Sequence, residues 1–398
     1  MWIVKFCVFL REVNLSDVPL SASCRYPPAS RGKPTEPKGV GFFSRAVGMA
    51  GGTLAFPAQR MLGTRASRSH EGRNALLATL RASTPAKNYP SKGTYGGGYG
   101  IGTTQSAGIA LRAAKHSPTM HVGILTAPFS NEPLEKVFEF AQKHGFKTLE
   151  LACGYGHPHL NLENPDTDAL KRLMERTGVR LSAVAFYTNN THPDPTERAR
   201  NTAGMQRAID IAHALGVEVV CTLAGHPVPG KSKMQTIEED CAEVFHPLCE
   251  YAGERGVNIA LENWFATNIQ ALDHWQRLFE VVPHPNFGLN FDPSHLLWQQ
   301  IDYINAVFLF GSRIFHTHAK DTEVMRTRLE YVGNQGSGWW RYVIPGMGSV
   351  RWGEYIGALR RVGYNGVLSI EHEDAAVGRE EGFLIGKRYL EQFIAPEV

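Results

Sequence analysis

From Met120 onward, a helical stretch that ends in glycine and runs straight into a short apolar segment recurs along this 398-residue chain. Eight such apolar segments fit between residue 120 and the C-terminus, and the late ones end in residue types that bind metals. Together these features predict a (β/α)8 TIM barrel, an α/β fold of about 250 residues whose chemistry sits at the C-terminal ends of its strands. A doubly wound open sheet is the alternative, but no glycine-rich phosphate turn follows the first segment.

The predicted strands are 121–128, 147–152, 180–186, 217–223, 257–263, 287–292, 313–318 and 367–371. Their near-continuous apolar character is that of strands buried on both faces, hence of a parallel sheet. Gly145, Gly178, Gly216, Gly256 and Gly363 stand where the preceding helices should stop, supplying the left-handed conformation an αβ loop needs. Helices are expected over 195–215, where Ala203, Ile209, Ile211 and Ala212 fall mostly at helical spacing, over 237–253, and over 379–393, which would close the barrel from outside.

Residues 1–119 do not read as a domain. Of the chain's 41 Lys and Arg and 38 Asp and Glu, 16 and 4 precede Met120, so a basic leader is joined to an acidic remainder. Pro- and Ser-rich pieces and the tract GTYGGGYGIG predict a disordered extension with low sequence complexity. Such an Arg-rich, acid-poor leader fits an organellar transit peptide or a start assigned too far upstream; Met120, directly before the first strand, favours the second. A basic nucleic-acid-binding tail is a weaker option, since no aromatic–basic RNA motif is present. The domain expected to work is therefore 120–398. No run approaches a membrane span, and six cysteines without C-x-x-C spacing predict reduced thiols in a cytoplasmic protein.

The chemistry is expected at four late strand ends. Strand five ends IALENW (Glu262), strand six LNFDPSH (Asp292, His295), strand seven FHTHAKD (His316, His318, Lys320) and strand eight LSIEHED (Glu371, Glu373). The two-residue period puts His316, His318 and Lys320 on one face, and Ser369, Glu371 and Glu373 on one face, which permits a common centre. Any one acid is as well explained as a cap or a salt-bridge partner, but four successive strands ending this way are not. Two Glu, one Asp and one His suit one divalent cation, Mn²⁺ first, with Mg²⁺ or Co²⁺ also fitting.

These residues resemble the xylose isomerase-like TIM barrels, the sugar phosphate isomerase/epimerase superfamily. The likeness rests on ALEN at Glu262, FDPSH at Asp292, HTHAKD at His318 and SIEHED at Glu371, and spans about 70% of the chain. It implies a single metal held by Glu262, Asp292, His318 and Glu371. In the family's ketose epimerases the cation holds the substrate's carbonyl and hydroxyl oxygens while two glutamates exchange the α-proton. By resemblance Glu262 and Glu371 take those acid and base roles.

Six further residues are candidates for substrate binding. His295 would bond a substrate hydroxyl or join the metal shell, with a turn histidine as the alternative. Lys320 would steady an enolate or hold an anionic group, unless it pairs with Asp321. Glu150 would bind a hydroxyl, with a buried ion pair as the alternative, and His226 would reach in from the loop after strand four. Trp264 would stack on a sugar face. Arg341, in GSGWWRYVIPGMG, would bind an anion from a lid.

Characterised ketose 3-epimerases usually carry an Arg about six residues after the strand-seven His, where this chain has Val324. A lyase or dehydratase acting on a keto-cyclitol or 3-oxo-glycoside therefore stays open beside the isomerase/epimerase reading. An AP endonuclease-type enzyme is disfavoured by the missing histidines and the acidic barrel, and a non-catalytic sugar-binding barrel remains. The substrate expected is a small sugar or cyclitol, with no nucleic acid or membrane partner. Relatives are often dimers or tetramers, which leaves a homo-oligomer open.

Overall fold

A computed structural model describes residues 120–394; the extension over 1–119, with Cys7 and Cys24, lies outside the described residues. Eight parallel strands close a barrel: β1 (His121–Leu125), β2 (Thr148–Ala152), β3 (Arg180–Ala185), β4 (Val219–Leu223), β5 (Asn258–Glu262), β6 (Phe287–Phe291), β7 (Ile314–Ala319) and β10 (Val367–Ile370). Around the barrel they run β1–β10–β7–β6–β5–β4–β3–β2. All eight predicted strands are present, each with ends shifted by a few residues at most. The largest shift is in the first, which stops at Leu125 because Ala127–Phe129, with a proline in its first turn, forms a short 3₁₀ helix.

The helices form where the periodicity requires. In Leu134–His144 the residues Leu134, Val137, Phe138 and Ala141 are buried, one stripe at helical spacing. Its Phe138 is fully buried in the main core, and burying such a side chain contributes about 2–3 kcal/mol. Pro195–Leu215 starts where Asp194 accepts hydrogen bonds from the N–H groups of Thr196 and Glu197 and ends at Gly216, whose φ of 70° is left-handed. The helix expected over 237–253 begins earlier. Ser232 and Gln235 form a capping box, Lys233–Thr236 is the first turn, and a π-helical segment Ile237–Cys241 leads into Ala242–Gly253. The last helix runs Arg379–Glu391.

The loop expected over 336–348 is instead partly strand. β8 (Asp321–Val324) and β9 (Trp340–Val343) form an antiparallel hairpin beyond β7, enclosing the helix Arg326–Val332. The main apolar core lies between sheet and helices, where Trp275, Trp352 and Tyr355 are fully buried. Inside the barrel a small set of compact side chains, including Ala183, Ala185, Cys221 and Ala260, leaves room for polar groups above them. Cys153, Cys221, Cys241 and Cys249 are buried free thiols. No helix among the described residues is long and apolar enough to cross a membrane.

Candidate metal centre

The strand register brings ligand-type side chains to one mouth of the barrel. Glu262 pairs with Asn290, Asn290 with His316, and His318 with Ser369. Glu262 ends β5, Asp292 follows β6, His318 lies in β7 and Glu371 follows β10. One ligand atom from each of these four lies within 4.8 Å of the others.

The Asp-Pro-Ser step explains how Asp292 is held. Its Oδ1 accepts a hydrogen bond from Ser294 N–H at 2.8 Å, capping the short helix Pro293–Leu297. Asn263, directly after β5, grips the same residue, donating to the Asp292 carbonyl at 2.8 Å and accepting from its N–H at 2.7 Å. The other oxygen, Oδ2, is buried and makes no hydrogen bond.

His318 shows the same division of labour between its two ring nitrogens. Nε2 lies 3.0 and 3.2 Å from the two oxygens of Glu150. Nδ1 is buried without a hydrogen bond, 3.1 Å from Glu371 Oε2 and 3.6 Å from Glu262 Oε1. Both atoms lack a hydrogen bond and face ionisable groups of one convergent set, Lys320 and His295 around Asp292 Oδ2 and two glutamates around His318 Nδ1. Three carboxylates with one imidazole form a donor set for a divalent cation of intermediate hardness. The residues present fit such an ion.

Lys320 balances these acids. Its Nζ lies 2.6 Å from Glu371 Oε2, 3.3 Å from Asp292 Oδ2 and 3.7 Å from Glu373 Oε2. Burial alone would favour neutral forms of every group here, but mutual attraction outweighs it. Glu262 is held well below the usual carboxylate range by its bond to His295 and by the charges of His318 and Lys320, and Glu371 is lowered by the charges of Lys320 and His318. Lys320 and His318 are raised well above their ordinary values.

Glu150 sits behind this centre, in the buried ion pair that was the alternative to its hydroxyl-binding role. It is fully buried, and its oxygens accept from Tyr187 at 2.5 Å and Ser369 at 2.8 Å as well as contacting His318. Burial would raise its pKa, but the His318 charge and the bonds to it hold the carboxyl at about 2. Asn290 completes this floor, donating to Tyr187 at 3.0 Å and meeting His316 Nδ1 at 2.9 Å. Glu150, Cys221 and His316 also cluster as a second group of ligand-type residues, but Glu150 and His316 are already hydrogen-bonded there.

The other candidates divide. His295 reaches the centre: its Nε2 is 3.0 Å from Glu262 Oε1 and 3.4 Å from Asp292 Oδ2. Lys320 does too, pairing with Glu371 and not with Asp321, whose carboxylate instead takes N–H groups from Gly346, Val350 and Trp352. His226 and Trp264 meet each other at the rim, ring centroids 5.5 Å apart. Arg341 is exposed on β9 and paired with Glu323 at 2.7 Å and Asp374 at 2.8 Å, so it ties the hairpin to the loop after β10. Sequence reasoning missed Asn263, Asn290, Tyr187 and Tyr342. The alternation Trp340–Arg341–Tyr342 was the available signal for the last.

The signature of the xylose isomerase-like TIM barrel family matches residues 138–393, and the chain belongs to that family. An uncharacterized protein of Bacillus subtilis, YfiH, is 29% identical over 69% of this chain and 100% of its own length. An inosose dehydratase of Clostridium botulinum is 24% identical over 70% of this chain and 98% of its own. Among solved structures, an IolI protein with a bound zinc atom superimposes with a TM-score of 0.58 at 20% identity, over 69% of this chain and 99% of that one. The chain is an enzyme of this family.

Proposed function

We propose that this xylose isomerase-like barrel is a divalent-metal-dependent isomerase or epimerase of a small sugar or cyclitol, working by proton abstraction next to a carbonyl. The observation that carries the reading is the convergence of Glu262, Asp292, His318 and Glu371, with Asp292 Oδ2 and His318 Nδ1 buried and unbonded. These four would hold the ion, and the donor set suits Mn²⁺ best, with Mg²⁺ and Co²⁺ also accommodated. When bound, the cation would supply a positive charge that stabilises negative charge developing on a substrate oxygen.

The chain's own residues do the rest. β5 and β10 flank β6 and β7 in the barrel, so Glu262 and Glu371 approach the centre from its two sides. One takes the proton from one face of the substrate and the other returns a proton to the opposite face. His295 and Lys320 are buried hydrogen-bond donors for substrate oxygens, and Trp264 with His226 forms a ring surface at the rim. Residues 120–398 are the working unit. The free buried thiols support a cytoplasmic location.

A dehydratase outcome on the same scaffold is favoured by one observation, the inosose dehydratase relative matched over nearly its whole length. Product analysis separates the two. The protein is incubated with Mn²⁺ and a panel of ketoses, inososes and 3-oxo-glucosides, and products are followed by NMR and ultraviolet absorbance. An epimer or isomer supports the main reading. An unsaturated, ultraviolet-absorbing product assigns the lyase, and no conversion with metal bound contradicts both.

A further inference from the structure

The β8–β9 hairpin carries a side chain that the reading above does not use. Arg341 points into its ion pairs with Glu323 and Asp374, so its neighbours Trp340 and Tyr342 lie on the other face of the strand. On that face the Tyr342 hydroxyl lies 2.6 Å from His295 Nδ1, and the two rings meet edge-on with centroids 5.1 Å apart. Lys320 Nζ sits 4.4 Å from the centroid of the Tyr342 ring. Burial pushes the phenol well above its usual pKa, so it stays protonated.

We infer that Tyr342 is a positioning residue that fixes His295 as an N–H donor aimed into the metal centre. The tautomer follows from what surrounds the other ring nitrogen. Glu262 Oε1 at 3.0 Å and Asp292 Oδ2 at 3.4 Å from Nε2 are carboxylate oxygens, which accept and do not donate. Lys320 Nζ, 3.5 Å from Nε2, has nearer acceptors in Glu371 at 2.6 Å and Asp292 at 3.3 Å. Nε2 therefore carries a hydrogen; in the neutral ring Nδ1 is then the bare acceptor, and the Tyr342 hydroxyl, 2.6 Å away, donates to it. A ring held in this way presents its N–H at one fixed angle, because the bond made by one ring nitrogen sets which nitrogen carries the hydrogen. The effect on turnover rests on the sugar-converting reading above; the tautomer itself does not. On that reading the barrel supplies the metal ligands, while the hairpin supplies the group that orients the substrate-facing histidine.

The substitution Tyr342→Phe keeps the ring against His295 and Lys320 and removes only the hydroxyl, whereas Tyr342→Ala removes both. Side-chain ¹⁵N–¹H correlation spectra of the Mg²⁺-loaded protein, with His295 assigned from His295→Gln, read the tautomer directly. The expected wild-type spectrum shows His295 protonated at Nε2 only. In Tyr342→Phe that single form gives way to a mixture, kcat falls about tenfold as one hydrogen bond is lost, and KM and Mg²⁺ affinity stay within about twofold. A wild-type His295 protonated at Nδ1 overturns the inference. So does a Tyr342→Phe protein that keeps both tautomer and kcat while only Tyr342→Ala loses activity, because that pattern belongs to packing alone. If the wild type converts no sugar, the proposed function fails, and the spectra still decide the inference.

Discussion

His318 Nε2 lies 3.0 Å from Glu150 Oε2, while the other ring nitrogen, Nδ1, lies 3.1 Å from Glu371 Oε2. One imidazole thus joins a buried carboxylate floor to the candidate metal centre, and its orientation is set from below. Carboxylates placed this way raise the basicity of a ligating histidine, and their loss typically lowers metal affinity 10–100-fold. Glu150→Gln is nearly isosteric and keeps bonds to Tyr187 and Ser369 within reach. Mn²⁺ titration of this variant is expected to show affinity about 10–100-fold weaker, with the far-ultraviolet circular dichroism unchanged. Unaltered affinity would detach Glu150 from the centre.

The two flanking glutamates should be needed twice. Replacing Glu371 or Glu262 by Gln removes a charged ligand from a set of four and removes an acid–base group. Each variant is expected to lose both Mn²⁺ affinity and turnover, with kcat reduced about a hundredfold or more. Intact metal binding without any turnover in the wild type would instead describe a sugar-binding barrel.

Metal uptake should release a proton. Burial would lower the His318 pKa, but the charges of Glu150 and Glu371 outweigh this and raise it well above its ordinary value. The metal-free ring therefore carries hydrogens on both nitrogens at neutral pH. Coordination through Nδ1 requires that nitrogen to be bare, while the hydrogen on Nε2 stays there, donated to Glu150. Falling pH must then weaken binding, and below the raised pKa apparent affinity should climb about tenfold per pH unit. Calorimetry of Mn²⁺ binding in buffers of different ionisation enthalpy is expected to show about one proton released; none released would place the ion elsewhere.

Two glycines separate conformation from packing. At Gly216 an added Cβ meets nothing within 4 Å, but its φ of 70° is left-handed, so Gly216→Ala should cost about 1 kcal/mol. At Gly288 a Cβ would fall on the Arg313 carbonyl oxygen and the Phe315 ring, between β6 and β7. Gly288→Ala should cost about 3 kcal/mol, because backbone there cannot move without disturbing the barrel. Urea midpoints of the two variants check the order.

Much of this was readable from the residues. Apolar runs, five of them behind named glycines, located all eight barrel strands, and helical spacing located the helix Pro195–Leu215, whose bounds came out as expected. That Glu262, Asp292, His318 and Glu371 converge was legible because strand ends and parity are local properties. What local pattern does not encode is which charge meets which. Arg341 is drawn off by Glu323, 18 residues away, and Asp374, 33 away, and no periodicity announces that. Glu150 has the right parity, but parity says nothing of depth, and Ser369, 219 residues away, closes over it. The hairpin was read as a glycine-rich loop because its strands are four residues long and separated by a helix.

Proton abstraction next to a carbonyl is the step shared by every reading of this centre as a sugar-converting enzyme. Incubation of the Mn²⁺-loaded protein with ketoses, inososes and 3-oxo-glucosides in deuterated water measures it directly by NMR. Loss of one carbon-bound proton signal is expected in at least one substrate or its product, dependent on Mn²⁺ and absent in Glu262→Gln and Glu371→Gln. Metal-loaded wild-type protein that exchanges no carbon-bound hydrogen anywhere in the panel would contradict it.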